Sequence, residues 1–323
     1  WQPQAGTVHR FDVPGTRTEF GTLDRPGVRV DSGIVDGSSV SVFYDPMLAK
    51  VISYAPTRRQ AAGILADALA RTRLHGIRTN RDLLVNVLRH PAFLDGATDT
   101  AFFDTHGLDR LSEPLADQSA AKLSALAAAL AEAAENRRTA TALADLPSGW
   151  RNMSSGYQTK RFADADDEYE IRYRFVRGRL ELPDFDDVTP VSATPDRVVL
   201  SSGVIERPFE VARYGDQVFV DGPLGPVRLV AQPRFPDPES AVAQGSLLAP
   251  MPGSVIRVGA AIGDQVTAGQ PLIWLEAMKM EHTITAPSGG VLAELNVAAG
   301  QQVDVGAVLA RVEDTEDPEQ KEH

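Results

Sequence analysis

The chain contains no cysteine. Disulfide frameworks, thiolate metal sites and cysteine nucleophiles are therefore excluded, and a reducing compartment fits. Basic charge is also short: 32 Lys and Arg stand against 44 Asp and Glu, a net charge of −12. A nucleic-acid-binding surface needs a basic patch, so that class falls away. No stretch approaches about 18 consecutive apolar residues, the length that reads as a membrane-spanning helix. The opening Trp1-Gln2-Pro3-Gln4 has neither a signal nor a transit pattern, and no initiating methionine. Trp1 reads as a cut point within a longer polypeptide. What remains is a globular composition, 43% hydrophobic over 323 residues, long enough for two or three domains.

The strongest pattern is an internal repeat. Ala249-Pro250 recurs as Ala286-Pro287, Gly253 as Gly290, Gly263 as Gly300, Val266 as Val303, Gly269 as Gly306, Leu272 as Leu309 and Glu276 as Glu313. Each pair is 37 residues apart (253 to 290, for example). A fixed period marks a duplicated unit. Each copy reads as strand, turn, strand, turn, strand, with glycines where the chain reverses. Two copies related by an approximate two-fold axis bury both apolar faces in a flattened barrel.

Between the copies lies Leu275-Glu276-Ala277-Met278-Lys279-Met280-Glu281-His282. Residues 276–285 are expected to form a hairpin at one end of the barrel, with Lys279 at its tip. A lysine at a turn is ordinarily only a solvated charge. Methionines on both sides, and the central place in the duplication, favour covalent attachment of a long arm instead. A lysine amine attacks an activated carboxyl, and the resulting amide removes its charge.

The rest of the chain is mixed. Residues 28–33, 39–44 and 47–54 read as strands. Thr57 is a helix N-cap followed by apolar residues at helical spacing, and His75-Gly76 reads as the end of that helix. A second helix spans 82–90 and stops at Pro91. These apolar faces lack a closing partner, so the stretch reads as the tail of a larger domain. Residues 117–146 are alanine-rich and helical. Short alternating strands follow at 169–177, 198–200, 209–211, 218–220 and 227–230, a small antiparallel sheet or barrel that the helix could plug or cover. Residues 232–245 read as a flexible linker and 314–323 as a disordered acidic tail.

Glu276-Ala277-Met278-Lys279-Met280 resembles the biotin attachment motif of biotin carboxyl carrier domains. Lipoyl domains share the duplicated barrel. They typically carry an acidic residue before the lysine and lack the Met-Lys-Met flanks, so a lipoyl-type carrier is the lesser alternative. Residues 5–110 resemble the C-terminal lobe of an ATP-grasp biotin carboxylase domain. The match rests on Gly27-Val28-Arg29-Val30-Asp31-Ser32-Gly33, Tyr44-Asp45-Pro46-Met47-Leu48-Ala49-Lys50 and His75-Gly76-Ile77-Arg78-Thr79-Asn80. In that family the arginine matching Arg29 contacts the ureido oxygen of biotin as negative charge develops there. The bland reading of Arg29 is a strand residue in a surface ion pair.

Ala249-Pro250-Met251, the run from Ala277 to Ile284, and Pro147-Ser148-Gly149-Trp150-Arg151-Asn152 resemble the α subunits of 3-methylcrotonyl-CoA carboxylases. In that family the stretch matching 148–235 is a small barrel, the BT domain, that docks on the carboxyltransferase β subunit. The resemblance implies a multidomain, mixed α+β chain. Its parts are a carboxylase lobe at 1–110, a helix plus antiparallel β-barrel at 111–235, a linker at 236–245, a duplicated biotinyl/lipoyl-like barrel at 246–313 and a tail at 314–323.

The implied function is that of a biotin-bearing α subunit of an acyl-CoA carboxylase. Biotin on Lys279 takes up a carboxyl group from bicarbonate with ATP and Mg, then gives CO2 to an acyl-CoA on the β subunit. The expected substrate is 3-methylcrotonyl-CoA, from leucine degradation. Propionyl-CoA, acetyl-CoA, geranyl-CoA or urea are alternatives, since no residue here touches the acyl group. The family's ATP loop, metal-binding glutamates and bicarbonate base would precede Trp1. This chain alone is thus expected to be inactive, and no metal site falls on its residues. Implied partners are the β subunit, the rest of the carboxylase domain and a biotin protein ligase, in a hetero-oligomer such as α6β6. The expected location is bacterial cytoplasm, or the mitochondrial matrix in a eukaryote, with no nucleic-acid or membrane partner.

Overall fold

The computed structural model describes residues 4–41, 43, 45, 47–143, 146, 156–164, 167–176, 179–234, 246–277 and 280–314. Tyr44 and Pro46, the motif at 147–152, most of the expected linker, Met278, Lys279 and nearly all of the acidic tail lie outside that set.

The first part builds on the strand Gly27–Ser32. It pairs in parallel with Thr16–Glu19 and antiparallel with Ala49–Tyr54. Alternation sends Val28 and Val30 into the core and Arg29 and Asp31 to the other face. The helix Arg58–Ala70 covers the inner face, capped by Thr57, whose side chain accepts from the Gln60 N–H. The helix Arg81–Arg89 packs beside it and ends ahead of Pro91, the first residue of the short helix Pro91–Leu94.

Two local expectations are corrected here. Among the described residues of 39–44, strand is present at Ser39–Val40. His75-Gly76 does not end the helix. That helix stops at Ala70, where the Arg71 N–H bonds to Asp67 O, and a strand, Arg73–His75, follows. Gly76 serves that strand's exit. Its φ is 121°, and a Cβ there would lie 2.0 Å from Thr7 O. Two backbones cross at a distance only glycine permits.

The middle part is one long helix, Gln118–Arg138, inside an eight-stranded antiparallel sheet. Asp117 caps it, and its bond from the Ala120 N–H holds the Asp117 carboxyl below the usual carboxylate range. The helix is buried all round, at Ala120, Ala121 and from Ser124 to Ala131. A helix apolar on every side belongs inside a core. Its alanines keep it slim, so the sheet can curl round it and close on Phe162, Ile171, Tyr173, Phe209 and Leu229. The strands read from sequence are present. Gln158–Ala163, Arg179–Glu181 and Val188–Ala193 add three that were not expected. The helix ends at Arg138, short of 146, where Thr139 caps it.

At its rim, the Glu132 carboxylate takes Lys160 and, at 2.8 Å, Arg213, tying helix to sheet. The Tyr173 hydroxyl is buried and meets no hydrogen-bond partner among the described residues. Burial, with a smaller contribution from Glu132, pushes this phenol upward, so it stays protonated. Tyr173→Phe removes an unpaired polar atom and keeps the shape. Urea unfolding is expected to give unchanged stability or a gain of up to about 1 kcal/mol. A clear loss would mean the hydroxyl is paired in solution.

The first two parts meet along a seam of rings. His75, 2% exposed, stacks on Phe219 at 4.6 Å and bonds through Nε2 to Asp221 Oδ2 at 2.9 Å. His9 stacks on Tyr214 at 4.2 Å. Asp221→Ala leaves a buried imidazole short of its partner, at a cost of about 1–3 kcal/mol. Hydrogen exchange is expected to quicken at Arg73–His75 and to stay unchanged in the strands after 246.

The last part consists of two four-stranded sheets. In one, Met280–Thr285, Pro271–Ala277, Gly253–Val258 and Gln302–Val303 lie side by side; in the other, Ser246–Leu248, Val308–Asp314, Gly290–Leu295 and Gln265–Val266. The 37-residue offset maps one onto the other. Thr283 pairs with Trp274 as Ser246 pairs with Arg311. Gly263 donates to Leu292 O at 2.8 Å, and Gly300 to Val255 O at 2.7 Å. The core alternates between copies in the same way, with Val255 and Leu292, and Leu272 and Leu309, all fully buried.

Candidate functional site

Strand pairing brings the motif at 276–280 together. Glu276 faces Glu281, and Ala277 faces Met280, at the end of the Pro271–Ala277 and Met280–Thr285 ladder. Residues 278 and 279 therefore join two paired strands, although both lie outside the described residues. Ala277 is 4% exposed and closes the core; Met280 is 41% exposed. Two carboxylates opposite each other destabilise a ladder slightly, so Glu276 and Glu281 are not there for the fold.

The 37-residue offset places the counterpart of this hairpin at the pairing of Ser246–Leu248 with Val308–Asp314, where the repeat begins and ends. The Ala277–Met280 end of the ladder thus lies at the end of the module remote from its first and last strands. That geometry fits an attached arm: the strands next to residues 278 and 279 are paired and Met280 is exposed.

The second candidate, Arg29, lies on the outward face of Gly27–Ser32. Its Nε donates to Asp31 Oδ1 at 2.7 Å and its Nη2 to Asp31 Oδ2 at 2.6 Å. That bidentate bond raises the guanidinium's affinity for its proton and holds the Asp31 carboxyl below the usual carboxylate range. Lys50 stands directly across the ladder from Asp31. Sequence reasoning missed Asp31 and Lys50 as neighbours of Arg29, although two-residue alternation puts Arg29 and Asp31 on one face. The arginine and the 276–280 hairpin belong to separate parts of the chain.

An apolar cavity of about 1040 Å³ is lined by Val13, Leu48, Leu69, Leu74 and Leu88, and by Met280. Among the described residues no three His, Asp or Glu side chains gather for a metal, and no helix is long and apolar enough to cross a membrane.

A lobe with an apolar cavity, a sheet curled round a helix and a duplicated two-sheet module define a multidomain protein. Comparison with known proteins makes this specific. Residues 1–105 match the biotin carboxylase C-terminal domain. Residues 121–234 match the BT domain of the methylcrotonyl-CoA carboxylase α subunit, and 245–312 the domain described as biotin-requiring enzyme. A propionyl-CoA carboxylase α chain of Ruegeria pomeroyi is 30% identical over 96% of this chain and 49% of its own length. Mitochondrial methylcrotonoyl-CoA carboxylase α subunits are similar too. That of Dictyostelium discoideum is 28% identical over 88% of this chain and 43% of its own, and that of Mus musculus 29% over 98% and 45%. The chain spans about half the length of these relatives. Along its length it carries domains shared by the α subunits of biotin-dependent acyl-CoA carboxylases.

Proposed function

We propose that the chain is the carrier-bearing part of an acyl-CoA carboxylase, with biotin joined to Lys279. Residues 1–110 form the carboxylase lobe, 111–235 the barrel that docks on a carboxyltransferase β subunit, and 246–313 the carrier. Residues 236–245 tether it, which keeps its local concentration high at each site. One observation carries this reading. The ladder pairs Ala277 with Met280, so only Met278 and Lys279 connect its strands, at the end of the duplicated module remote from its first and last strands.

Biotin, when attached, supplies a nitrogen that accepts and releases a carboxyl group. The residues of the chain bind, aim and shield. The paired strands support the tip. Arg29 sets a fixed positive charge where an oxygen gains negative charge, which lowers a barrier most when the donor is already oriented. ATP, Mg and bicarbonate are handled outside these residues, so the chain alone is expected to carry biotin without carboxylating it.

The substrate is 3-methylcrotonyl-CoA in this reading, because the barrel matches the BT domain of that enzyme's α subunit. The same architecture serves propionyl-CoA carboxylase, and the Ruegeria pomeroyi relative supports that second reading. Assay of the complex with a panel of acyl-CoAs separates them. Turnover fastest on 3-methylcrotonyl-CoA is expected; inactivity on it alone would overturn the choice.

A further inference from the structure

We propose that Asp31 is a positioning residue for Arg29, holding the guanidinium at the angle from which it meets negative charge on the reacting group. The inference rests on the reading of Arg29 given above. Four observations carry it.

The pair is a fork against a fork, two bonds of 2.7 and 2.6 Å from Nε and Nη2. Such a bond fixes the plane of the guanidinium as well as its place. The two bonds use Nε and Nη2 and do not involve Nη1. The pair is also shielded. Its side chains are 29% and 17% exposed, whereas those of Arg59–Asp95 in the same lobe are 69% and 68% exposed.

Asp31 is itself anchored. Its Oδ1 accepts the Phe20 backbone N–H at 3.1 Å. Phe20 holds φ 54°, a left-handed conformation that a bulky residue seldom adopts. Phe20 is 67% exposed, so packing does little to compensate for that backbone. Unusual backbone beside a functional group is a mark of a constrained site. Finally, Lys50 faces Asp31 across the ladder. Two cations around one carboxylate keep it ionised and leave the cluster with a net positive charge, suited to an anion or a developing oxyanion.

An ordinary surface ion pair would add little stability and nothing to rate. The two roles separate in the complete, biotinylated carboxylase, assayed for biotin-dependent ATP cleavage. Asp31→Asn keeps the shape and the Phe20 contact but loosens Arg29. The expected result is a kcat lower by between about ten- and a hundredfold, as for a misaimed catalytic group, with KM for ATP unchanged. Asp31→Glu restores part of that loss, because the carboxylate returns. Arg29→Gln with Asp31→Asn is no slower than Arg29→Gln alone, since Asp31 acts only through Arg29. Thermal unfolding of each variant checks that the lobe is folded, and Asp31→Glu carries the test if Asp31→Asn is not.

A wild-type kcat in Asp31→Asn, or losses that add in the double variant, would overturn the proposal while leaving Arg29 in place. A wild-type rate in Arg29→Gln would instead remove the reading of Arg29, and this inference with it.

Discussion

Lys279→Arg is expected to abolish biotinylation and to drop carboxylase activity to background. The reason is chemical. Attachment needs a neutral amine that can attack an activated carboxyl. Guanidinium stays protonated at any physiological pH and does not attack. Charge and bulk are retained at an end of the ladder, so folding stability should change by no more than about 0.5 kcal/mol. A streptavidin blot after co-expression with biotin ligase, beside a thermal unfolding curve, reads both. A normal melting curve with no biotin signal is the expected pair. An arginine variant that still gained biotin would place the attachment elsewhere.

Gly290→Ala is expected to be the costliest single methyl group in the carrier module. A Cβ at 290 would lie 2.1 Å from Glu313 O, backbone against backbone. The Gly290–Leu295 and Val308–Asp314 strands would have to part, at about 3 kcal/mol. For a unit of this size that lowers the melting temperature by about 12–24 °C. Its repeat partner Gly253 meets Glu276 O at 2.7 Å and should cost somewhat less. Gly300→Ala is the control. It has φ 86° but open space around it, so only conformational strain of about 1 kcal/mol is expected. Equal melting temperatures for Gly290→Ala and Gly300→Ala would show that close approach does not matter here.

The repeat explains why so much of the carrier was legible. Hydrogen bonds at Gly263 and Gly300, and at Gly269 and Gly306, follow one offset because the two copies fold alike. Where the copies diverge, geometry persists and chemistry changes. Arg257 lies 3.7 Å over the Trp274 ring, while their counterparts Glu294 and Arg311 form an ion pair at 2.7 Å. The alternating strand at 169–177 and the capped helix after Thr57 were equally readable, because local periodicity determines them.

The seam was not. His75 and Asp221 are 146 residues apart, and nothing local links them. His75-Gly76 resembled a helix stop because glycine marks many turns. The structure uses it instead for a close crossing with Thr7. The long helix was readable as a helix, but its alanines could equally have served a connector. Only the curled sheet around it explains them. Arg29 was singled out through the family resemblance, and its role stays a proposal. The fork that orients it needed the register of three strands.

The proposed function depends most on one bond, between biotin and Nζ of Lys279. Peptide mapping by mass spectrometry of the chain co-expressed with biotin ligase tests it most directly. One biotinyl group is expected, on the peptide containing Lys279, with Lys50, Lys122, Lys160 and Lys321 unmodified. An unmodified chain, a lipoyl group at Lys279, or biotin on any of the other lysines would contradict it.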